Sequence, residues 1–245
     1  MSDLQKHIRC RVGDVAPYVL LPGDPARARR IAEYFEDAKL VSEHREYVIY
    51  TGKTNGIDVT VCSTGIGGPS AAIALEELIR VGANTFIRVG SSGGRQPDIP
   101  IGTLIVVTAA YRGDGTSQEY MPLGFPAVAD LTVSNALLEA AQSLDYPHHY
   151  GIGTTRDAFY VRDNILNEKL KDAGVVAAEM EAATLFIAGS VRHVRVGCVV
   201  ATDSNIWLDK QPSLEEKEAL YYEGEKKTIV AALKAIQILD SQRTD

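Results

Sequence analysis

Apolar residues in this chain gather in short runs bounded by glycine, proline and polar punctuation, with a helical period between them. Val15 to Leu21 reads as a buried strand running into the turn Pro22-Gly23-Asp24-Pro25, and Ala26 to Phe35 has helical composition. Tyr47 to Thr51 and Val59 to Ser63 are strand-like and flank Asn55-Gly56, a strong hairpin signal. Gly65-Ile66-Gly67-Gly68-Pro69-Ser70 is a glycine loop, and Pro69 suits the first turn of a helix that stops near Gly82. Thr85 to Val89 is a short apolar strand ending at Gly90-Ser91-Ser92-Gly93-Gly94. Leu104 to Ala110 is a strand rich in β-branched residues and Leu131 to Leu144 an amphipathic helix. Val194 to Ala201 is a buried strand and Glu215 to Leu239 a mostly helical tail. Strands alternating with helices predict an α/β fold around a mixed, largely buried central sheet flanked by helices. Nothing in residues 1–245 divides the chain, neither a Pro/Gly/Ser-rich linker nor a composition break, so a single domain is expected. Glycine loops just past strand ends are where open α/β sheets bind ligands.

Composition narrows the function classes. A formal net charge of -7 argues against general nucleic-acid binding, so an anionic substrate needs locally placed arginines. Cys10, Cys62 and Cys198 are odd in number and widely spaced, which fits neither a disulfide framework nor a metal site and reads as buried thiols in a reducing cytoplasm. The start Met1-Ser2-Asp3-Leu4-Gln5-Lys6 lacks a signal-peptide apolar core, and no apolar run approaches the ~18 residues of a membrane span. A soluble cytoplasmic protein without a membrane partner is expected.

Gly23 allows close backbone approach, and the helix start after it is expected to offer free N–H groups to an anion, with Arg27 one turn in. An ordinary Pro-Gly turn with a solvated arginine accounts equally well for that segment. Arg88 stands inside the apolar strand Phe86-Ile87-Arg88-Val89, which is costly unless it is paired. With Gly90, Ser91 and Ser92 following, it suits bidentate phosphate binding, or else a structural ion pair. Glu179, Met180 and Glu181 follow a small apolar run. If extended, the two acids face one side, where a carboxylate suits paired ribose hydroxyls and methionine gives an adaptable floor. A helix start with acids favoured by the dipole fits the same residues. Asp203, after the strand, is a candidate general acid, an N-cap or an Asx turn. By themselves Arg45, in a charged run, and His7 point to nothing.

Taken in order, these segments resemble the hexameric nucleoside phosphorylases, the family of bacterial purine nucleoside phosphorylase and uridine phosphorylase. The likeness covers nearly the whole chain. It runs through His7, Pro22-Gly23-Asp24-Pro25 with Arg27, His44-Arg45-Glu46 and Ser63-Thr64-Gly65-Ile66-Gly67-Gly68-Pro69-Ser70, then Ile87-Arg88-Val89-Gly90-Ser91, Phe125-Pro126-Ala127-Val128-Ala129-Asp130 and Glu179-Met180-Glu181. The resemblance implies a phosphorylase-type fold, a hexamer built as a trimer of dimers, and reversible phosphorolysis of a nucleoside to free base and (deoxy)ribose 1-phosphate. Inorganic phosphate is then a co-substrate, and neither metal nor organic cofactor is expected. By that resemblance Gly23, Arg27, Arg88 and Ser91 bind phosphate, and Arg45 reaches it from a neighbouring subunit. His7 contacts the 5′-hydroxyl across the dimer. Met180 and Glu181 hold the ribose, Phe159 stacks on the base, and Glu179 and Asp203 fall on the base side.

The base is read two ways. The front half looks most like uridine phosphorylases, yet those enzymes read uracil with a glutamine and an arginine just after the Phe-Tyr pair. Here Phe159-Tyr160 is followed by Val161-Arg162-Asp163-Asn164-Ile165. Asp203 resembles the aspartate with which purine enzymes protonate the imidazole ring, although the arginine that usually partners it is replaced by Glu215-Glu216-Lys217. A purine nucleoside is slightly favoured, with uridine the alternative, and Trp207 is expected to cap the base pocket. A nucleosidase using water has no need of Arg27, Arg45 and Arg88 together. A dinucleotide-binding oxidoreductase lacks the third glycine of its fingerprint in the 65–70 loop. A non-catalytic nucleoside-binding protein remains a further alternative.

Overall fold

A computed structural model describes residues 4–242, so the Met1-Ser2-Asp3 start of the segment read for a leader lies outside the described residues. The run from Val15 narrows to β1 (Tyr18–Leu21), all four residues buried. Pro17 gives no N–H to a ladder, and its carbonyl accepts from Asn84 and Thr85 instead. α1 (Pro25–Ala32) ends short of the expected Phe35, since Tyr34 and Phe35 turn back to donate to the Ile31 and Ala32 carbonyls. β2 (Glu36–His44), β3 (Tyr47–Thr54) and β4 (Ile57–Cys62) form an antiparallel meander, joined between β3 and β4 by Asn55-Gly56, both with positive φ as the turn requires. β2 carried no strand reading in the sequence, where only its end, Glu43-His44, fell in the charged run around Arg45. It is a mostly exposed edge strand, whose charge suits a sheet edge and hides its periodicity.

α2 (Gly68–Arg80) leads to β5 (Thr85–Gly94), which does not stop at Gly90 as expected. The Gly-Ser segment stays extended because it is paired on both sides, to Val200–Asn205 along one edge and to Ala177–Ala178 on the other. β6 (Leu104–Gly113), α3 (Thr116–Tyr120), β7 (Ala127–Val128), α4 (Leu131–Ser143) and β8 (His148–Arg156) follow. Then come α5 (Asn164–Asp172), β9 (Ala177–Glu179), α6 (Ala182–Val191), β10 (Arg195–Asn205) and α7 (Leu214–Ser241). α7 opens on a capping box between Ser213 and Glu216.

The mixed ten-stranded sheet runs β10-β6-β8-β9-β5-β1-β4-β3-β2, with β7 beside β6 off this path, and β10 also pairs with β5. Five strands therefore close into a ring, from which β1, β4, β3 and β2 extend as an open sheet. Strand alternation sends Val19, Leu21 and Phe86 into one core cluster with α2 and α6. Tyr18, Leu20, Ile87 and Val89 enter the other, with α1, α4 and α7. The expected single α/β domain, a mixed sheet flanked by helices, is what forms.

Candidate active site

The carboxyl ends of β1, β4 and β5 meet through their loops: Thr64 N–H donates to the Pro22 carbonyl at 2.8 Å and Gly65 N–H to the Gly23 carbonyl at 2.9 Å. Beside them Arg88 lies among the α2 and α6 starts, 3 % exposed. Its Nε donates to Glu179 Oε2 at 2.8 Å, its Nη2 contacts Glu181, and its Nη1 is buried with no hydrogen-bond partner. The structural ion pair read as the alternative is formed, and Nη1 is left over from it.

Glu179 ends β9, and its carboxylate is consumed by the fold. Oε2 accepts from the N–H groups of Glu181 and Ala182 at 2.8 Å each, and Oε1 accepts from Thr155 Oγ1 at 2.5 Å. The helix-start alternative therefore describes Glu179, which serves the first turn of α6. Its expected place against the base has no free oxygen to support it. Glu181 is not in extended backbone but is the N-cap of α6, with ψ -24°. Its Oε1 accepts from Gly67 N–H at 2.6 Å, so the carboxylate bridges the glycine loop and Arg88. Burial foremost raises its pKa, Arg88 opposes that, and Glu179 adds to it. The loop can approach because Gly68 has no side chain: a Cβ there would lie 2.5 Å from Thr184 Oγ1. Met180 stands between the two acids, partly buried.

The expected free N–H groups after Gly23 are not free. Asp24 caps α1, accepting from Ala26 N–H at 2.9 Å and Arg27 N–H at 3.1 Å. Arg27 is buried, not a solvated turn residue. Nε donates to Glu225 Oε2 at 2.7 Å, Nη1 to the Val89 carbonyl at 3.2 Å, and Nη2 to the Tyr221 hydroxyl. Arg30 holds the same Glu225 at 2.6 Å. Nothing local in the sequence announces this Arg27–Glu225–Arg30 set, because α1 and α7 lie at opposite ends of the chain. Ser91 is half-buried on β5, on the face opposite Arg88.

Asp203 does not follow its strand but lies within β10, where the register to β5 slips between Thr202 and Ser204. The irregularity turns it out of the ladder, as β-bulges do beside functional sites. Neither an N-cap nor an Asx turn is formed. Burial foremost raises its pKa, against the Ser204 hydroxyl bond and the positive charges of Arg27 and Arg95. Phe159 is 73 % exposed and packs edge-on against Tyr160 in the loop after β8. Trp207 stacks under Lys171 Nζ at 4.4 Å, which places it against the end of α5. Arg95, at the end of β5, carried no functional reading in the sequence, although an arginine directly after Gly93-Gly94 could have been noted.

His7 stands at the far end of α2 from the glycine loop, and Arg45 is on the β2–β3 hairpin. His7 is bound by Glu77, Nδ1 to Oε1 at 2.6 Å, ten residues along α2 from Gly67 or ~15 Å of helix. His44 Nδ1 meets the His7 carbonyl at 2.9 Å, which ties His7 to the hairpin carrying Arg45. Arg45 is exposed, with φ 56° and no hydrogen-bond or ion-pair partner among the described residues. Cys10, Cys62 and Cys198 are buried and free, and burial foremost pushes the Cys10 thiol up to about 12. No helix among the described residues is long and apolar enough to cross a membrane, and none of their His, Cys, Asp and Glu side chains form a cluster of three that could hold a metal ion.

A family model for the phosphorylase superfamily matches residues 17–237. The chain belongs to that superfamily. This phosphorylase is 46 % identical over 242 residues to a uridine phosphorylase of Thermococcus kodakarensis, covering 93 % of this chain and 87 % of that one. It is 40 % identical over 216 residues to a guanosine phosphorylase of Halorubrum lacusprofundi, covering 88 % and 90 %. It superposes on the crystal structure of a uridine phosphorylase from Vibrio fischeri with TM-score 0.89 and 32 % identity, over 96 % and 97 % of the chains. The enzyme is a nucleoside phosphorylase, a pentosyltransferase, and these relatives favour the pyrimidine alternative over the purine preference read from Asp203.

Proposed function

We propose that the enzyme cleaves uridine with inorganic phosphate to uracil and ribose 1-phosphate, reversibly and without a further cofactor. The observation that carries the phosphorolytic part is the buried Arg88, held by two carboxylates yet keeping an unpartnered Nη1. The choice of uridine rests on likeness to uridine phosphorylases along nearly the whole chain.

Phosphate lies beside Gly23 and Arg88, with Arg27 oriented by Glu225 and Tyr221. Met180 and Glu181 hold the ribose, with Glu181 accepting from its hydroxyls, and Phe159 folds onto the base. As the glycosidic bond stretches, positive charge builds on the ribose and the phosphate dianion beneath it stabilises that charge. Fixing the dianion with several donors supplies orientation. The exposed, unpartnered Arg45 and the link between His7 and its hairpin support a site shared between subunits. The reading includes the trimer-of-dimers hexamer and a cytoplasmic role in nucleoside salvage.

Release of free base from uridine, thymidine, inosine, guanosine and adenosine, with and without phosphate, tests the proposal. Phosphate-dependent uridine turnover supports it, and turnover without phosphate sinks it in favour of a nucleosidase. A guanosine reading has one observation of its own, the raised pKa of Asp203, which suits a proton donor to a purine ring nitrogen. It predicts guanosine turnover that Asp203→Asn abolishes.

A further inference from the structure

The resemblance leaves the base side of the pocket without its expected readers, since the glutamine after the Phe-Tyr pair is missing and Arg162 stands earlier than the usual arginine. A pyrimidine leaving as an anion carries its charge on N1 and the two carbonyl oxygens, and that charge needs a donor fixed in place. The end of β5 supplies one.

Arg95 leaves β5 on the face that also carries Ser91 and Gly93. Its guanidinium folds back along the strand: a Cβ on Gly93 would lie 3.5 Å from Arg95 Nη1 and 3.4 Å from Ser204 Oγ, next to Asp203. Asp203 links this arginine to the phosphate side of the site, since its carboxylate feels the positive charges of both Arg27 and Arg95. A phosphate group on the Arg27 side of Asp203 and a pyrimidine on the Arg95 side, with a pentose between, fit that order.

The surroundings leave Arg95 poorly compensated. Its Nε is buried with no hydrogen-bond partner. Burial foremost, then the positive charges of Arg156 and Arg162, lower its pKa, and among the charges acting on it only Asp203 opposes them. Arg156 ends β8 and Arg162 follows Phe159 in the next loop, and neither forms an ion pair among the described residues. Buried positive charge with an idle donor, beside the loop of the base-stacking aromatic, fits an electron-rich carbonyl.

We infer that Arg95 is a catalytic residue on the base side, donating to a pyrimidine carbonyl oxygen and stabilising the anion that forms there. The inference rests on the uridine reading. In the step, the C1′–N1 bond breaks with its electron pair going to the base. A phosphate oxygen forms the new bond to C1′. The proton carried by the phosphate dianion ends on the base, directly or through water. Arg95 stays protonated throughout, which suits an arginine.

The test compares kcat and KM for uridine and 5-fluorouridine in the wild type, Arg95→Met and Arg95→Lys. The fluorinated base is the more stable anion, so it depends less on Arg95. The expected result is a fall of about 10²–10³-fold in uridine kcat for Arg95→Met, a clearly smaller fall for 5-fluorouridine, partial recovery in Arg95→Lys, and an unchanged KM for phosphate. An equal fall for both nucleosides, a change confined to phosphate KM, or a uridine loss under about tenfold overturns the inference. If Arg95→Met fails to fold, the same comparison is made on Arg95→Lys alone. A wild type that turns over purine nucleosides and not uridine removes the uridine reading and the inference with it. Failure of the inference alone shows only in the variants.

Discussion

Glu179→Ala separates a carboxylate that builds the site from one that touches the base. In the native fold its two oxygens meet Arg88, the Glu181 and Ala182 N–H groups and Thr155. Removing one partner of a buried ion pair costs about 3–5 kcal/mol, and Arg88 keeps Glu181, so the lower figure applies. Two N–H groups at the start of α6 lose their acceptor, at about 1 kcal/mol each. The sum is about 5 kcal/mol, a large part of the ~5–15 kcal/mol that holds a typical domain. For a chain of this length each kcal/mol moves Tm by ~2–4 °C, so a drop of about 10–20 °C is expected. Urea unfolding at fixed subunit concentration reads the free energy, and phosphorolysis at low temperature reads the site. Phosphate KM should rise because Arg88 is then held by Glu181 alone, while the ranking of bases stays as in the wild type. A loss under about 1 kcal/mol, with a rise in nucleoside KM alone, would refute the reasoning and return Glu179 to the base.

Gly68→Ala pushes a methyl group against Thr184 and Thr116 and should cost about 1–3 kcal/mol, read by denaturant midpoint, with Gly124→Ala, where nothing lies near and the backbone is not left-handed, as the control for crowding. Glu225 is pulled up by burial but held below the usual carboxylate range by Arg30 and Arg27. Its contribution is therefore complete above the unfolded value of about 4.3 and is lost as pH falls through the lower folded value. Tm of the wild type should fall more steeply than that of Glu225→Gln as pH drops below about 4.3, and parallel curves would count against the cluster. Asp24→Ala removes the α1 cap at about 0.5–2 kcal/mol, and calorimetry showing no change would mean that another group takes over the N–H donors. Arg45→Ala and Glu181→Ala should each be inactive alone, and mixing them with subunit exchange should restore activity if sites are shared. No recovery in proven mixed dimers would place Arg45 in its own chain's site.

The parts of the fold that were legible share one property: their signal is local. The Asn55-Gly56 hairpin, Pro69 at the start of α2 and the apolar strands on either side of it are written in adjacent residues. α6 was missed because it is buried all round, so its apolar residues show no helical period. The continuation of β5 through Gly90-Ser91-Ser92-Gly93-Gly94 depends on β9 and β10 pairing with it, which neighbouring residues do not encode. At the site, Arg88 and the two acids could be singled out because a charged residue in an apolar run asks for a partner. Which carboxylate is spent on the fold could not be read, since that depends on Thr155 and the α6 backbone. Arg27 was legible as a cation and not as the partner of Glu225, and Asp203 was placed past a strand that in fact runs through it.

The ring closed by β5, β6, β8, β9 and β10 has a consequence for how such an enzyme can change over time. Arg88, Glu179 and Asp203 stand on strands whose neighbours on both sides are fixed, so none can be displaced without opening the ring. The loop from Asp157 to Asp163, which bears Phe159, hangs outside it and is exposed along its length. Inheritance can therefore rewrite the loop residue by residue, trading one nucleobase for another, while the frame that breaks the glycosidic bond is passed on intact.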